Sequence, residues 1–241
     1  MEFILLANFK SHKTVAEVEN WLKTVSPVAQ KHQDKVKVLI APSFVHLPLA
    51  AELLTNRHTD KPTSRFADFP SIYLCSQDVS PFPPGAYTGA VSAVQLADLR
   101  VKYCLVGHSE RRRYFHESSS DIANKVANLL DQKIIPAVCV SESDIVPQFG
   151  ALTDDLKDRC LYCFEPPDDI GGTVTAPPET IQAAVQKIKQ HTSAPILYGG
   201  SVNPDNITSL LPLGLDGALV ATACLDPDQF NRIIEKIAHA R

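Results

Sequence analysis

Glu165 closes the apolar run Leu161-Tyr162-Cys163-Phe164, and a carboxylate at the tip of such a run is partly desolvated, which raises its proton affinity and suits it to act as a base. His108 follows the run Tyr103 to Gly107 and stands before Ser109 and Glu110, where a helical turn is expected to begin. Backbone N–H groups aimed at the ring would disfavour its protonation, leaving a neutral imidazole able to donate a hydrogen bond to a carbonyl. Lys10, two residues beyond Asn8 at the end of the first apolar run, adds a cation. A base, an acid-capable imidazole and a cation are thus all present. Each alone has a plainer reading, for Glu165 an ion pair at the rim.

Gly199-Gly200-Ser201 followed by Asn203-Pro204-Asp205 reads as a glycine turn running into a helix N-terminus, an arrangement that offers N–H groups to an anion such as phosphate. The stretch after Glu165 has no apolar periodicity and carries Ile170-Gly171-Gly172-Thr173, which suits a closing lid as well as an ordinary long loop. No GxxxxGK[ST], GxGxxG, HExxH or GxSxG motif occurs, so nucleotide, metal and serine-hydrolase readings lose their main support. No cofactor or metal is expected. The six cysteines lie mostly in apolar runs and read as buried and structural, in a reducing compartment. Cys160 and Cys163 have CxxC spacing, but positions three apart on a strand face opposite sides. Arg111-Arg112-Arg113, with Glu110, Glu117 and Asp121 nearby, reads as a neutralised packed face.

These groups need a scaffold, and the periodicity supplies one. Strand-like runs at Phe3 to Asn8, Val36 to Ala41, Ile72 to Ser76, Tyr103 to Gly107, Ile134 to Val140, Leu161 to Glu165, Ile196 to Gly199 and Ala218 to Val220 alternate with helical stretches. The clearest helices are Val15 to His32, Ser118 to Gln132 and Pro178 to Gln190, and Asp226-Pro227-Asp228 opens a last one. Eight β-then-α units within 241 residues predict an α/β chain, a closed (β/α)8 barrel spanning residues 1–241 as a single domain, with a doubly wound open sheet as the other possibility. In such a barrel the C-terminal ends of the strands gather the residues named above. Thr55 to Ser71 is polar and proline-bearing, a surface excursion; the helix after the fifth strand is expected to be short. A net charge of -4, with 23 basic and 27 acidic residues, argues against a nucleic-acid surface and for a small-metabolite partner. With no 18-residue apolar run and too short an apolar start for a signal peptide, the chain reads as cytoplasmic and not membrane-bound.

Asn8-Phe9-Lys10, Gln77-Asp78-Val79-Ser80 through Gly85-Ala86-Tyr87-Thr88-Gly89, Gly107-His108-Ser109-Glu110-Arg111-Arg112, Glu165-Pro166 and Tyr198-Gly199-Gly200-Ser201-Val202, in that order, resemble the signatures of the triosephosphate isomerase family. The resemblance runs from Phe3 to about Leu225. It implies a TIM barrel that interconverts dihydroxyacetone phosphate and D-glyceraldehyde 3-phosphate through an enediolate, in glycolysis and gluconeogenesis, with no cofactor. It also implies roles: Glu165 moves the proton between carbons, His108 polarises the carbonyl and shuttles protons between oxygens, Lys10 supplies positive charge to the phosphate and the developing oxyanion, and Asn8 hydrogen-bonds at the same oxygens. Glu110 orients Lys10, while Gly171, Ser201 and the amides of Ala221 and Thr222 hold the phosphate.

The resemblance further implies a homodimer, with Thr88 in a loop reaching the neighbouring subunit. Departures from the family pattern carry their own expectations. Ala221 and Thr222 stand where two glycines are usual, and their side chains would crowd the phosphate. Asp168 stands in place of a Trp, and Ile170-Gly171-Gly172-Thr173 in place of Ile-Gly-Thr-Gly. Ala90 replaces a Glu that would pair across the interface with Arg111, and Asp78 replaces an Asn; Arg111 is then partnerless or differently paired and the dimer weaker. The competing readings are a sugar-phosphate lyase or epimerase on the same phosphate-binding barrel, and a non-catalytic scaffold.

Overall fold

The computed structural model describes residues 2–55, 71–166 and 175–241. Eight parallel strands, β1 (Phe3–Asn8), β2 (Val36–Ala41), β3 (Ile72–Ser76), β4 (Tyr103–Val106), β5 (Ile135–Val140), β6 (Leu161–Phe164), β7 (Ile196–Tyr198) and β8 (Gly217–Val220), close in sequence order. Closure is made by β8 against β1, in register from Ile4↔Gly217 to Ala7↔Val220, so the chain is a closed (β/α)8 TIM barrel and not an open sheet. The strands match the expected runs to within one residue at each end. Around them lie α1 (Val15–Lys31), α2 (Leu47–Thr55), α3 (Ala93–Asp98), α4 (Ser109–Phe115), α5 (Ser119–Asp131), α6 (Ile145–Ala151), α7 (Asp154–Lys157), α8 (Pro178–Lys189), α9 (Ile207–Leu210) and α10 (Pro227–Ala240). The helices after β5 are short, as expected. Most of the polar excursion, residues 56–70, lies outside the described residues, as do residues 167–174, which include Asp168, Gly171 and the rest of the expected lid. No helix among the described residues is long and apolar enough to cross a membrane.

Strand alternation decides what reaches the mouth of the barrel. Leu6, Leu39, Cys75, Leu105, Cys139, Cys163, Leu197 and Leu219, one from each strand, fill the interior, while their neighbours Leu5, Val38, Cys104, Val138, Tyr162, Ile196 and Ala218 pack outward under the helices. Two residues further along, the inward positions are Asn8, Gln77, Glu165, Gly199 and Ala221. On β4 the alternation is broken. Gly107 has φ +68°, and a Cβ there would lie 2.7 Å from the Ile122 side chain, so only glycine makes this turn and His108 takes the inward place. Cys160 packs outside the wall and Cys163 inside it, and all six cysteines are free and buried, which bears out the structural reading.

The helices are stopped and started by local chemistry. Thr14 with Glu17, Ser92 with Gln95 and Ser118 with Asp121 form capping boxes at α1, α3 and α5, and Asp226 caps α10 ahead of Pro227. α1 and α10 pack through Phe9, Trp21 and Phe230, with ring centroids 5.0 and 5.1 Å apart, and the Trp21 indole donates to the Cys224 carbonyl at 2.7 Å. This fixes the turn after β8 against the first helix.

A buried charge cluster holds α4 and α5 to the end of β3. Arg111 bonds Asp78 at 2.8 Å and also Glu117; Lys125, with 2% of its side chain exposed, bonds Asp78 at 2.6 Å and Glu117 at 2.5 Å. Arg111 is therefore differently paired, within its own chain. Burial pushes the Asp78 carboxyl up from its ordinary range, opposed chiefly by the Lys125 ammonium. Arg112 donates to the Gly107 and Cys139 carbonyls and to Gln148, so this part of the arginine run is the packed face expected; Glu110, however, pairs with Lys10 and Asp121 caps α5.

Two outcomes follow from this packing. Lys125→Ala leaves two buried carboxylates sharing the single Arg111 cation and is expected to cost about 3 kcal/mol. Unfolding by urea should show the lower midpoint, and Lys125→Met, which keeps the stem volume, should show nearly the same loss. Burial pushes the Cys160 thiol up to about 12, and the Cys75, Cys104, Cys139 and Cys224 thiols upward as well. A thiol-specific chromogenic reagent at neutral pH should accordingly label no cysteine in the native protein and six after denaturation; fast native labelling would contradict the packing.

Candidate active site

Glu165, 2% exposed, and His108, 6% exposed, meet at the mouth of the barrel, with His108 Nε2 3.3 Å from Glu165 Oε1. The backbone N–H of Ser109 donates to the other carboxylate oxygen at 3.3 Å. Gly199 makes room for this carboxylate, since a Cβ there would stand 2.8 Å from Glu165 Cγ. His108 is the N-cap of α4, and its Nδ1 accepts the Glu110 backbone N–H at 3.2 Å. The Glu110 carboxylate lies 3.6 Å from the same nitrogen, beyond hydrogen-bonding reach, so the backbone bond fixes the tautomer. Nδ1 is thus engaged by the backbone, and Nε2 is the ring nitrogen that faces Glu165.

Lys10 adopts a left-handed conformation, φ 48°, a backbone strain of about 1–2 kcal/mol for a residue with a side chain. Two side chains hold it there. Asn8 Oδ1 accepts the Lys10 N–H at 3.0 Å, and Gln77 Nε2 donates to the carbonyls of Lys10 and Ala41, each at 2.8 Å. The Lys10 ammonium then reaches Glu110 at 2.6 Å. This bond agrees with the positioning role expected of Glu110.

Lys10, His108 and Glu165 line a cavity of about 190 Å³ whose remaining wall comes from the turns after β7 and β8, including Ser201, Asn203, Ala221 and Thr222, and from Gln229. The cavity persists with Ala221 and Thr222 in its wall. Asn8 lines a neighbouring cavity of about 510 Å³ that shares Lys10 and His108. Thr88 is exposed on the loop between β3 and α3, away from both. Among the described residues no group of three His, Cys, Asp or Glu side chains is placed to hold a metal ion.

The helix expected at Asn203-Pro204-Asp205 is not formed. Asn203 Oδ1 accepts from the N–H groups of Asp205 and Asn206, at 2.8 and 3.2 Å, and this Asx turn satisfies the backbone locally, so that α9 begins only at Ile207 and is four residues long. Any anion held here meets turn amides and not an aligned helix. Beyond the expected residues, Gln77 braces Lys10, Tyr198 Oη accepts the Ala176 N–H at 2.9 Å, and Gln229 joins the cavity wall. Gln77 follows an inward-facing run and was legible as a position, whereas nothing near Gln229 sets it apart from any polar residue in a first helical turn.

Residues 3–237 match the family model described as triosephosphate isomerase. Among similar curated proteins, triosephosphate isomerase of Thermus thermophilus is 35% identical over 261 residues, covering 97% of this chain and 98% of the relative. That of Mesomycoplasma hyopneumoniae is 32% identical over 253 residues, covering 97% and 99%, and that of Dictyoglomus turgidum 32% over 257 residues, covering 96% and 98%. A match of this extent, on a closed barrel with Glu165 and His108 meeting at its mouth, means that the chain belongs to the triosephosphate isomerase family.

Proposed function

We propose that this barrel, residues 1–241 as one domain, interconverts dihydroxyacetone phosphate and D-glyceraldehyde 3-phosphate by proton transfer, as a cytoplasmic enzyme of glycolysis and gluconeogenesis. The observation that carries the mechanism is the buried carboxylate 3.3 Å from the Nε2 of an imidazole whose Nδ1 is already occupied. Substrate enters between these two groups. The Glu165 carboxylate takes a proton from the hydroxyl-bearing carbon, the electron pair left behind forms the carbon–carbon double bond, and the carbonyl oxygen gains charge. His108 donates its Nε2 proton to that oxygen and recovers one from the neighbouring hydroxyl. The Glu165 carboxyl then returns its proton to the second carbon, completing the exchange of aldehyde and ketone without a cofactor.

Lys10 and the Asn8 amide stabilise the charged oxygens, and the Lys10–Glu110 bond at 2.6 Å supports the reading of Glu110 as a positioning residue. Ser201 and the backbone amides of Ala221 and Thr222 hold the phosphate; Gly171, also assigned to this task, lies outside the described residues. With folded protein, a coupled assay on either triose phosphate tests the activity, and no turnover would favour a lyase, an epimerase or a scaffold. Glu165→Asp retracts the carboxylate and should lower kcat by roughly 100-fold or more while moving KM far less; an unchanged kcat would exclude Glu165 as the base.

The same reading includes a homodimer. Phe82 and Tyr87 stack at 4.6 Å on the exposed loop that carries Thr88, and Val45, Tyr114 and Phe115 are 79%, 62% and 64% exposed. A cleft of about 670 Å³ between this loop and Arg111 contains Ala90 and Glu117, whose Oε2 is buried without a hydrogen-bond partner among the described residues. Because Arg111 is already neutralised by Asp78 and Glu117, assembly lacks the attraction of a charge pair across subunits. Light scattering on serial dilution is expected to show dissociation above nanomolar concentration; a dimer that persists at nanomolar concentration would contradict the weaker interface.

A further inference from the structure

The charges around the cavity do not by themselves favour a dianion. Its charged wall residues, among those described, are Lys10 and Glu165, and the Lys10 ammonium is already 2.6 Å from the Glu110 carboxylate. No aligned helix N-terminus points in from the β7 side, because Asn203 closes an Asx turn there. At α10 the first free amides, those of Asp228 and Gln229, are taken by the Asp226 cap at 2.9 and 3.4 Å. Besides Lys10, whose charge Glu110 offsets, a phosphate here needs uncharged donors, and hydrogen bonds to a charged acceptor are the stronger kind.

Gln229 is such a donor. It lies in the first turn of α10, half-buried, and its side chain forms part of the cavity wall with Ser201, Ala221 and Thr222. A carboxamide has two N–H groups. The Gln229 amide nitrogen makes one long bond, 3.4 Å, to Asp226 Oδ2, which leaves the second N–H for a ligand.

We propose that Gln229 is a substrate-binding residue of this chain, donating an Nε2 hydrogen bond to the phosphate of the triose, with the Thr222 hydroxyl as a second side-chain donor. This rests on the isomerase reading. It adds side-chain donors at the place where the sequence led us to expect only crowding by Ala221 and Thr222.

Gln229→Met keeps the length of the side chain and removes both donors. KM for glyceraldehyde 3-phosphate and the inhibition constant of inorganic phosphate should rise together by about tenfold, the worth of one hydrogen bond to a charged group, with kcat within about threefold and the urea midpoint unchanged. Gln229→Glu, which places a carboxylate against the dianion, should raise both constants at least as much, and Thr222→Val should raise them less. KM and inhibition constant both within about twofold of the unsubstituted enzyme in Gln229→Met would overturn the proposal. If that variant fails to fold, Gln229→Asn, which withdraws the amide by one methylene, is read by the same two constants and the same limits. Lack of turnover by the unsubstituted enzyme would sink the isomerase reading instead, and calorimetric binding of inorganic phosphate, tighter to the unsubstituted protein than to Gln229→Met, would still decide for or against Gln229.

Discussion

The contact between Glu165 and His108 joins two polar side chains that are both more than nine-tenths buried, with His108 Nε2 standing 3.3 Å from Glu165 Oε1, and the rest of the site is arranged around it. Buried polar groups without partners are costly, and the Ser109 and Glu110 N–H groups supply one partner to each of these side chains. Were the imidazole charged, the pair would be a buried ion pair, and prising it apart to admit a substrate would leave two unpaired charges. The Glu110 N–H on Nδ1 avoids this by occupying the position a second proton would need. A substrate carbonyl and its neighbouring hydroxyl can then replace the contact with bonds of similar kind. The N-cap position of His108 is thus a constraint on the chemistry, not only a way to begin α4.

That constraint could not be met without the barrel. Parallel strands closed on themselves bring the inward positions of every strand to one mouth, and the alternation that buries Leu6, Cys163, Leu197 and Leu219 also points Asn8, Glu165, Gly199 and Ala221 at each other from four strands. β4 departs from this rule through the left-handed Gly107, and Arg112 secures the departure by donating to the Gly107 carbonyl. Lys10 is a second departure, strained and braced by Asn8 and Gln77. Strain of this kind persists only where neighbouring bonds over-determine it.

Much of this was legible in the sequence because strands buried on both faces are continuous apolar runs, and those ending at Asn8, Gly107, Glu165 and Gly199 lead into residues of the site. The place of His108 at a helix start was legible too, since Ser109-Glu110 after a strand marks one. Other features were hidden by the local ambiguity of their signals. Asn203-Pro204-Asp205 has the composition of a helix cap, but the same Asn side chain closes a turn equally well, and only the course of the following chain chooses between them. Lys125 sits among Ile122, Val126 and Leu129 on the buried face of α5, and a lysine there is ordinarily read as solvated; its partners, Asp78 and Glu117, come from 47 and 8 residues away.

The fate of Arg111 shows how such distant partners alter what a substitution means. Judged by Ala90 alone, the missing carboxylate leaves an arginine exposed at a surface that should be covered. The fold instead supplies Asp78 and Glu117 from the same chain, and Lys125 balances them, so the cluster of two cations and two carboxylates is neutral before any partner arrives. A neutral, internally bonded cluster presents little field to a second molecule, so in the proposed dimer apolar contact by Phe82, Tyr87, Tyr114 and Phe115 would be the main attraction across that surface. The same cluster fixes α4 against α5, and α4 carries His108 at its start. Charge that might have bound subunits together serves here to hold the imidazole in place.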